Sequence, residues 1–109
     1  MKVNILGTEY TITEKSKEED TYLNGCDGYC DKTTKEIVVK TKDEENELSN
    51  YDEYLKKVKR HEIIHAFLYE SGLHENWEHK EYGHNETYVD WIAVQFPKIL
   101  DVFVEAGCL

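Results

Sequence analysis

Residues 59–68, Lys59 to Leu68, read KRHEIIHAFL, five apolar residues in ten of a strongly polar chain. On an α-helix, residues four apart lie about 40° apart around the axis and one turn along it. His61 and His65 therefore aim both imidazoles at one point. Two neutral ring nitrogens at roughly 2.0–2.1 Å suit a Zn²⁺ ion. Glu62 is rotated about 100° from His61, too far to join that ligand set comfortably, yet within reach of a water held there. Two ligands and one general base in five residues is the logic of an HExxH pattern. A chance match, in a Glu-rich chain with five His, is the competing reading. Ile63, Ile64, Ala66, Phe67 and Leu68 weigh against it. They carry the pair into the core, where an imidazole needs a partner.

Working outward, Tyr51, Tyr54, Leu55 and Val58 extend the helical spacing upstream. Ser49 and Asn50, followed three residues later by Asp52 and Glu53, offer two overlapping N-caps, and Gly72 marks the stop. Earlier in the chain the period changes to two. Val3 and Ile5, then Gly7-Thr8, then Tyr10 and Ile12 spell a short β-hairpin. A second hairpin is expected in GYCDKTTKEIVVKT, with Asp31 to Lys35 as its turn and Ile37, Val38 and Val39 as strand residues. The charged run 14–20, EKSKEED, reads as a loop or the fringe of a short helix. A last helix is expected from near Asn85, with Val89, Ile92, Ala93 and Phe96 as its buried stripe and Trp91 in the core. Pro97 is expected to kink or restart it before KILDVFVEAG. Trp77 is expected to pin the inter-helix loop. A small antiparallel sheet packed on two helices is an α+β layout, and 109 residues make one domain, 1–109.

Composition narrows the partners. With 23 acidic against 13 basic residues the formal net charge is −10. Such a surface repels phosphate backbones, so no nucleic-acid partner is expected. No apolar run approaches the roughly 20 residues that span a bilayer, and MKVNILGTEYTITEK lacks a signal peptide's apolar core. A cytoplasmic protein without a membrane partner is expected. Cys26, Cys30 and Cys108 read as reduced thiols, and the three residues between the first two do not match the usual zinc knuckle.

A catalytic zinc needs a third protein ligand and an open position. His74, His79, His84 and Glu86 are the candidates. Metzincin spacing is excluded, because Leu68 and Ser71 stand where that pattern wants Gly and His. YGHNETY resembles the third-ligand segment of SprT-like zinc proteases, which favours His84. Glu86 followed by Asp90 at i+4 is similar to the gluzincin arrangement, in which the Glu binds zinc and the Asp hydrogen-bonds a ligand histidine. A ligand borne on a helix is held more rigidly than one on a loop, which favours Glu86. Asp90 then points the same way and fixes the tautomer of His61 or His65. His84 stands as the alternative ligand, or as a donor to the oxyanion from the rim.

RHEIIHAFLYESGL followed by NETYVDWIAVQFPKI resembles a group of small phage-associated, zincin-like proteins. These are grouped by similarity with zinc metallopeptidases, near the gluzincins and the ImmA/IrrE-type peptidases. The likeness covers Arg60 to Ile99, and it becomes specific when the histidine motif is joined to Glu86, Asp90, Trp91, Ala93 and QFPKI. The hairpin GYCDKTTKEIVV is also similar to the strand pair that precedes the active helix in such proteins. What the resemblance implies is a minimal zincin in which His61, His65 and Glu86 hold one Zn²⁺. Glu62 is then the general base and Asp90 the partner of a ligand histidine. Larger gluzincins stabilise the oxyanion from a further domain, for which this chain has no room. That donor must come from Tyr69, His74, His79, Tyr82 or His84. The expected activity is hydrolysis of a peptide bond in a peptide or protein substrate by metal-activated water. An edge strand around Ile37 to Lys40 is expected to hold the substrate by β-augmentation. The alternative is a catalytically silent or structural zinc-binding module, its metal stapling a small domain that binds a partner.

Overall fold

The computed structural model describes residues 1–74, 85–106 and 108–109. Four strands come first: β1 (Lys2–Ile5), β2 (Thr8–Lys15), β3 (Gly28–Asp31) and β4 (Glu36–Lys40). A single 3₁₀ turn, Thr21–Asn24, lies between β2 and β3, and two helices follow, α1 (Tyr51–Glu70) and α2 (Glu86–Glu105). The α+β class expected from the sequence is the class observed.

Both hairpins form where their turn residues put them. Leu6 and Gly7 take positive φ values of 52° and 92°, the paired geometry that matches strand twist, and Asn4 accepts from the Gly7 N–H at 2.8 Å. At the second turn the Asp31 carboxylate accepts from the Thr33 and Thr34 N–H groups, and Lys35 takes φ 60°. The sheet itself differs from the expectation. Its order is β1-β2-β4-β3, and β2 runs parallel to β4, from Thr11 opposite Glu36 to Lys15 opposite Lys40. It is therefore mixed, not antiparallel. The return trip after β2 is made by the 3₁₀ turn and β3, so β4 re-enters in the direction of β2. Glu14 and Lys15, expected in a loop, complete β2 and that parallel ladder.

A second correction follows from the same order. Ile37 to Lys40 is a central strand, and the edge beside the helices is β3. The run Ile37-Val38-Val39 is continuous because β4 is buried on both faces. Ile37 and Val39 join Ile5, Tyr10 and Ile12 against Val58 and Ala66 of α1. Gly28 lets β3 approach closely. A Cβ there would lie 2.9 Å from Val58 Cγ1 and 3.0 Å from the Val38 carbonyl oxygen.

Helix α1 starts at the Asn50 cap, whose side chain accepts from the Glu53 N–H, and ends before Gly72 at φ 81°. Its last residue, Glu70, accepts from Thr8 Oγ1 at 3.1 Å, Tyr10 OH at 2.7 Å and Lys35 Nζ at 2.6 Å. That one carboxylate ties α1 to both hairpins.

Helix α2 packs against α1 through Val89 and Ala93. It continues through Pro97 as one helix, so the expected restart does not occur. Proline has no N–H for the carbonyl one turn back. That carbonyl, on Ala93, is taken instead by Arg60 Nε of α1 at 2.6 Å. Ile92, Phe96 and Trp91, expected inside, are exposed. Helical spacing marked an apolar stripe correctly but assigned it a neighbour that α1 does not supply. Trp77 lies outside the described residues. Among the described residues no helix is long and apolar enough to cross a membrane.

Candidate metal centre

Four-residue spacing on α1 brings the His61 and His65 rings to a centroid distance of 4.8 Å, with their Nε2 atoms 3.0 Å apart. Glu86, in the first turn of α2, meets that pair with both oxygens. Oε2 lies 3.3 Å from His61 Nε2, and Oε1 lies 3.0 Å from His65 Nε2. Among the described residues these three side chains form a group able to hold a metal ion. Donors bound tetrahedrally to zinc at roughly 2.0–2.1 Å sit about 3.3 Å from one another. The observed separations fit, and so does the chemistry of two imidazoles and one carboxylate.

The far side of His61 explains why its Nε2 is turned inward. Its Nδ1 lies 3.2 Å from Asp90 Oδ1, one turn beyond Glu86 on α2. With Nδ1–H donating to that carboxylate, Nε2 keeps its lone pair for the site. Sequence reasoning missed the next contact. Lys57 Nζ lies 2.5 Å from the same Asp90 oxygen. The hydrogen bond from Lys57 and then His61 hold the Asp90 carboxyl below its ordinary value. The available signal was position: Lys57 stands one turn before His61 on the same helix.

Glu62 stays outside the ligand group, as its rotation around the helix requires. Only 7% of it is exposed. Burial, and then the Glu86 carboxylate, push it up to about 7. A carboxylate titrating near neutrality is suited to accept and return a proton. With the ligands it lines a cleft of about 410 Å³, whose other walls include Cys26, Cys30 and Tyr69.

Tyr69 stacks over the His65 ring at 6.2 Å, and Lys32 Nζ lies over the Tyr69 ring, 5.2 Å from its centre. His74 packs edge-on against Tyr69 at 4.7 Å and does not enter the ligand group. His79, Tyr82 and His84 lie outside the described residues, so the placement of His84 as rival ligand is not described. The two cysteines were read as thiols near a turn, with no link to the site. Yet Cys26, just before β3, and Gly28, Tyr29 and Cys30 within it line the cleft together. Burial, and then Glu62, push the Cys30 thiol up to about 12, and burial also raises Cys26. Both are neutral thiols at neutral pH, and neither forms a disulfide.

Comparison of the chain with protein-family models, with curated proteins and with solved structures finds no match.

Proposed function

We propose that the protein is a zinc-dependent peptidase of minimal zincin design. The observation that carries this reading is the convergence of His61 Nε2, His65 Nε2 and both Glu86 oxygens at 3.0–3.3 Å, beside a buried Glu62. When bound, one Zn²⁺ supplies Lewis acidity to a water molecule and to a peptide carbonyl. Glu62 takes the proton as the hydroxyl adds to the carbonyl carbon. It returns that proton to the amine nitrogen as the C–N bond breaks. Asp90 keeps His61 in the tautomer that ligates, and Tyr69, at the cleft wall beside the His65 ring, would donate to the oxyanion. Strand β3 (Gly28–Asp31), unpaired on its outer side among the described strands, offers backbone groups to an extended substrate.

The test pairs metal content with cleavage. Purified protein is loaded with zinc, counted by elemental analysis, and incubated with a mixed peptide library read by mass spectrometry. One zinc per chain with new peptide termini, and the same zinc without termini in Glu62→Gln, is the expected result. Cleavage by Glu62→Gln at the wild-type rate overturns the assigned base. Zinc bound without cleavage by either protein favours the second reading, a silent zinc module. The broad exposed apolar face of α2 supports that reading.

A further inference from the structure

The apolar surface that α2 leaves exposed, from its outer side round to the border of its packing face, is unusual for a chain this polar. Tyr88 is 62% exposed, Trp91 56% and Phe96 44%, with Ile92 partly exposed between them. At 100° per residue Tyr88, Ile92 and Phe96 form a strip that turns about 40° per step towards Val89, and Trp91 lies about 60° to the other side of Tyr88. Along that strip runs a groove of about 450 Å³, walled by Arg60, Ile63, Ile64 and Phe67 of α1 and by Ile92 and Phe96 of α2.

We propose that this face is the contact between two copies of the chain. Area is the first argument. The exposed parts of Tyr88, Trp91, Ile92, Phe96 and Phe67 amount to on the order of 500 Å² of mostly apolar surface, near the upper end for a monomer's largest patch. With a polar rim that approaches the ~800 Å² per partner of a standard interface. Shape is the second. An isologous contact must be self-complementary, and a two-fold axis at Ile92 sets Phe96 against Tyr88 of the other copy. Charge is the third. Each copy carries −10, so two copies can meet only where acids are absent. From Tyr88 to Phe96 the one charged residue is Asp90, and it is turned to Lys57 and His61. A basic partner would be drawn to the acidic remainder of the surface instead.

The inference does not depend on the zinc reading, and its test is independent of activity. Sedimentation velocity is run on the full chain, with and without zinc, from about 1 µM to about 300 µM at low and high salt. The expected result is a monomer–dimer equilibrium that tightens with salt, because salt screens the mutual repulsion and leaves the apolar contact. Ile92→Glu and Phe96→Glu, both at exposed positions, are expected to weaken it at least tenfold with helical circular dichroism unchanged. Leu48→Glu, exposed outside this face, is expected to leave it unaltered. A chain that stays monomeric throughout, a dimer indifferent to both α2 variants, or a dimer that weakens with salt overturns the proposal.

Discussion

Glu62 and Lys57 are the two side chains whose substitution separates the chemistry of the centre from its architecture. In the unfolded chain Glu62 returns to the ordinary carboxylate value of 4.5, against about 7 in the folded protein. Between those values the folded state keeps a proton that the unfolded state has released. Stability of the metal-free protein therefore falls as pH rises through that window, by about 3 kcal/mol from this one group. Glu62→Gln lacks the penalty. In urea unfolding, the variant is expected to gain on the metal-free wild type from pH 5 to about pH 7 and to level off by pH 8. A constant difference across that range would mean an unshifted carboxyl. Lys57 acts one step further out, by holding the Asp90 oxygen that orients His61. Asp90→Asn is expected to weaken zinc binding about 10- to 100-fold, and Lys57→Met by a smaller factor, with recovery in Lys57→Arg. Competition against a chromophoric chelator measures this. Wild-type affinity in Lys57→Met would show that the ion pair does not position the ligand.

At the scale of elements, the joint between α1 and α2 hangs on a proline. Pro97 leaves the Ala93 carbonyl without its helical donor, and Arg60 supplies one from α1. Arg60→Leu strips a buried carbonyl of its partner and is expected to cost about 1–3 kcal/mol. In a Pro97→Ala background the residue 97 N–H can close the ordinary bond, so the same Arg60→Leu change is expected to cost distinctly less. A double-mutant cycle by chemical denaturation reads the coupling, and additive costs would refute it. The cap at Asn50, the stop at Gly72 and both hairpin turns were legible in the sequence because each is decided by residues a few positions apart. The parallel β2–β4 pairing was not, since nothing local in either strand names its partner across twenty residues. The restart expected at Pro97 does not occur, for a related reason. The rule counts the lost N–H, but the compensating donor sits on another helix.

For the whole molecule, the centre was more legible than the surface around it. His61, Glu62 and His65 are fixed by helical spacing, and Glu86 and Asp90 by the same spacing on a second helix. What period cannot report is which neighbour covers a stripe, so the outer face of α2 was assigned to a core that α1 alone does not complete. The division of the candidate ligands also has a mechanical consequence under the proposed zinc reading. His61 and His65 stand on α1, which is anchored to the sheet through Val58, Ala66 and Glu70, and Glu86 stands on α2. An ion held by all three would cross-link the sheet-anchored part of the molecule to its outer helix. At free zinc a thousandfold above the dissociation constant, linkage stabilises the fold by about 4 kcal/mol. Removing zinc with a chelator is expected to reverse that gain and to speed amide exchange along α2 more than along α1. In Glu86→Ala the two imidazoles remain and the tie does not. Zinc should then still bind weakly through α1, while its protection of α2 disappears. If α2 amides slow equally on zinc addition in Glu86→Ala and in wild type, the ion does not join the two helices through that carboxylate.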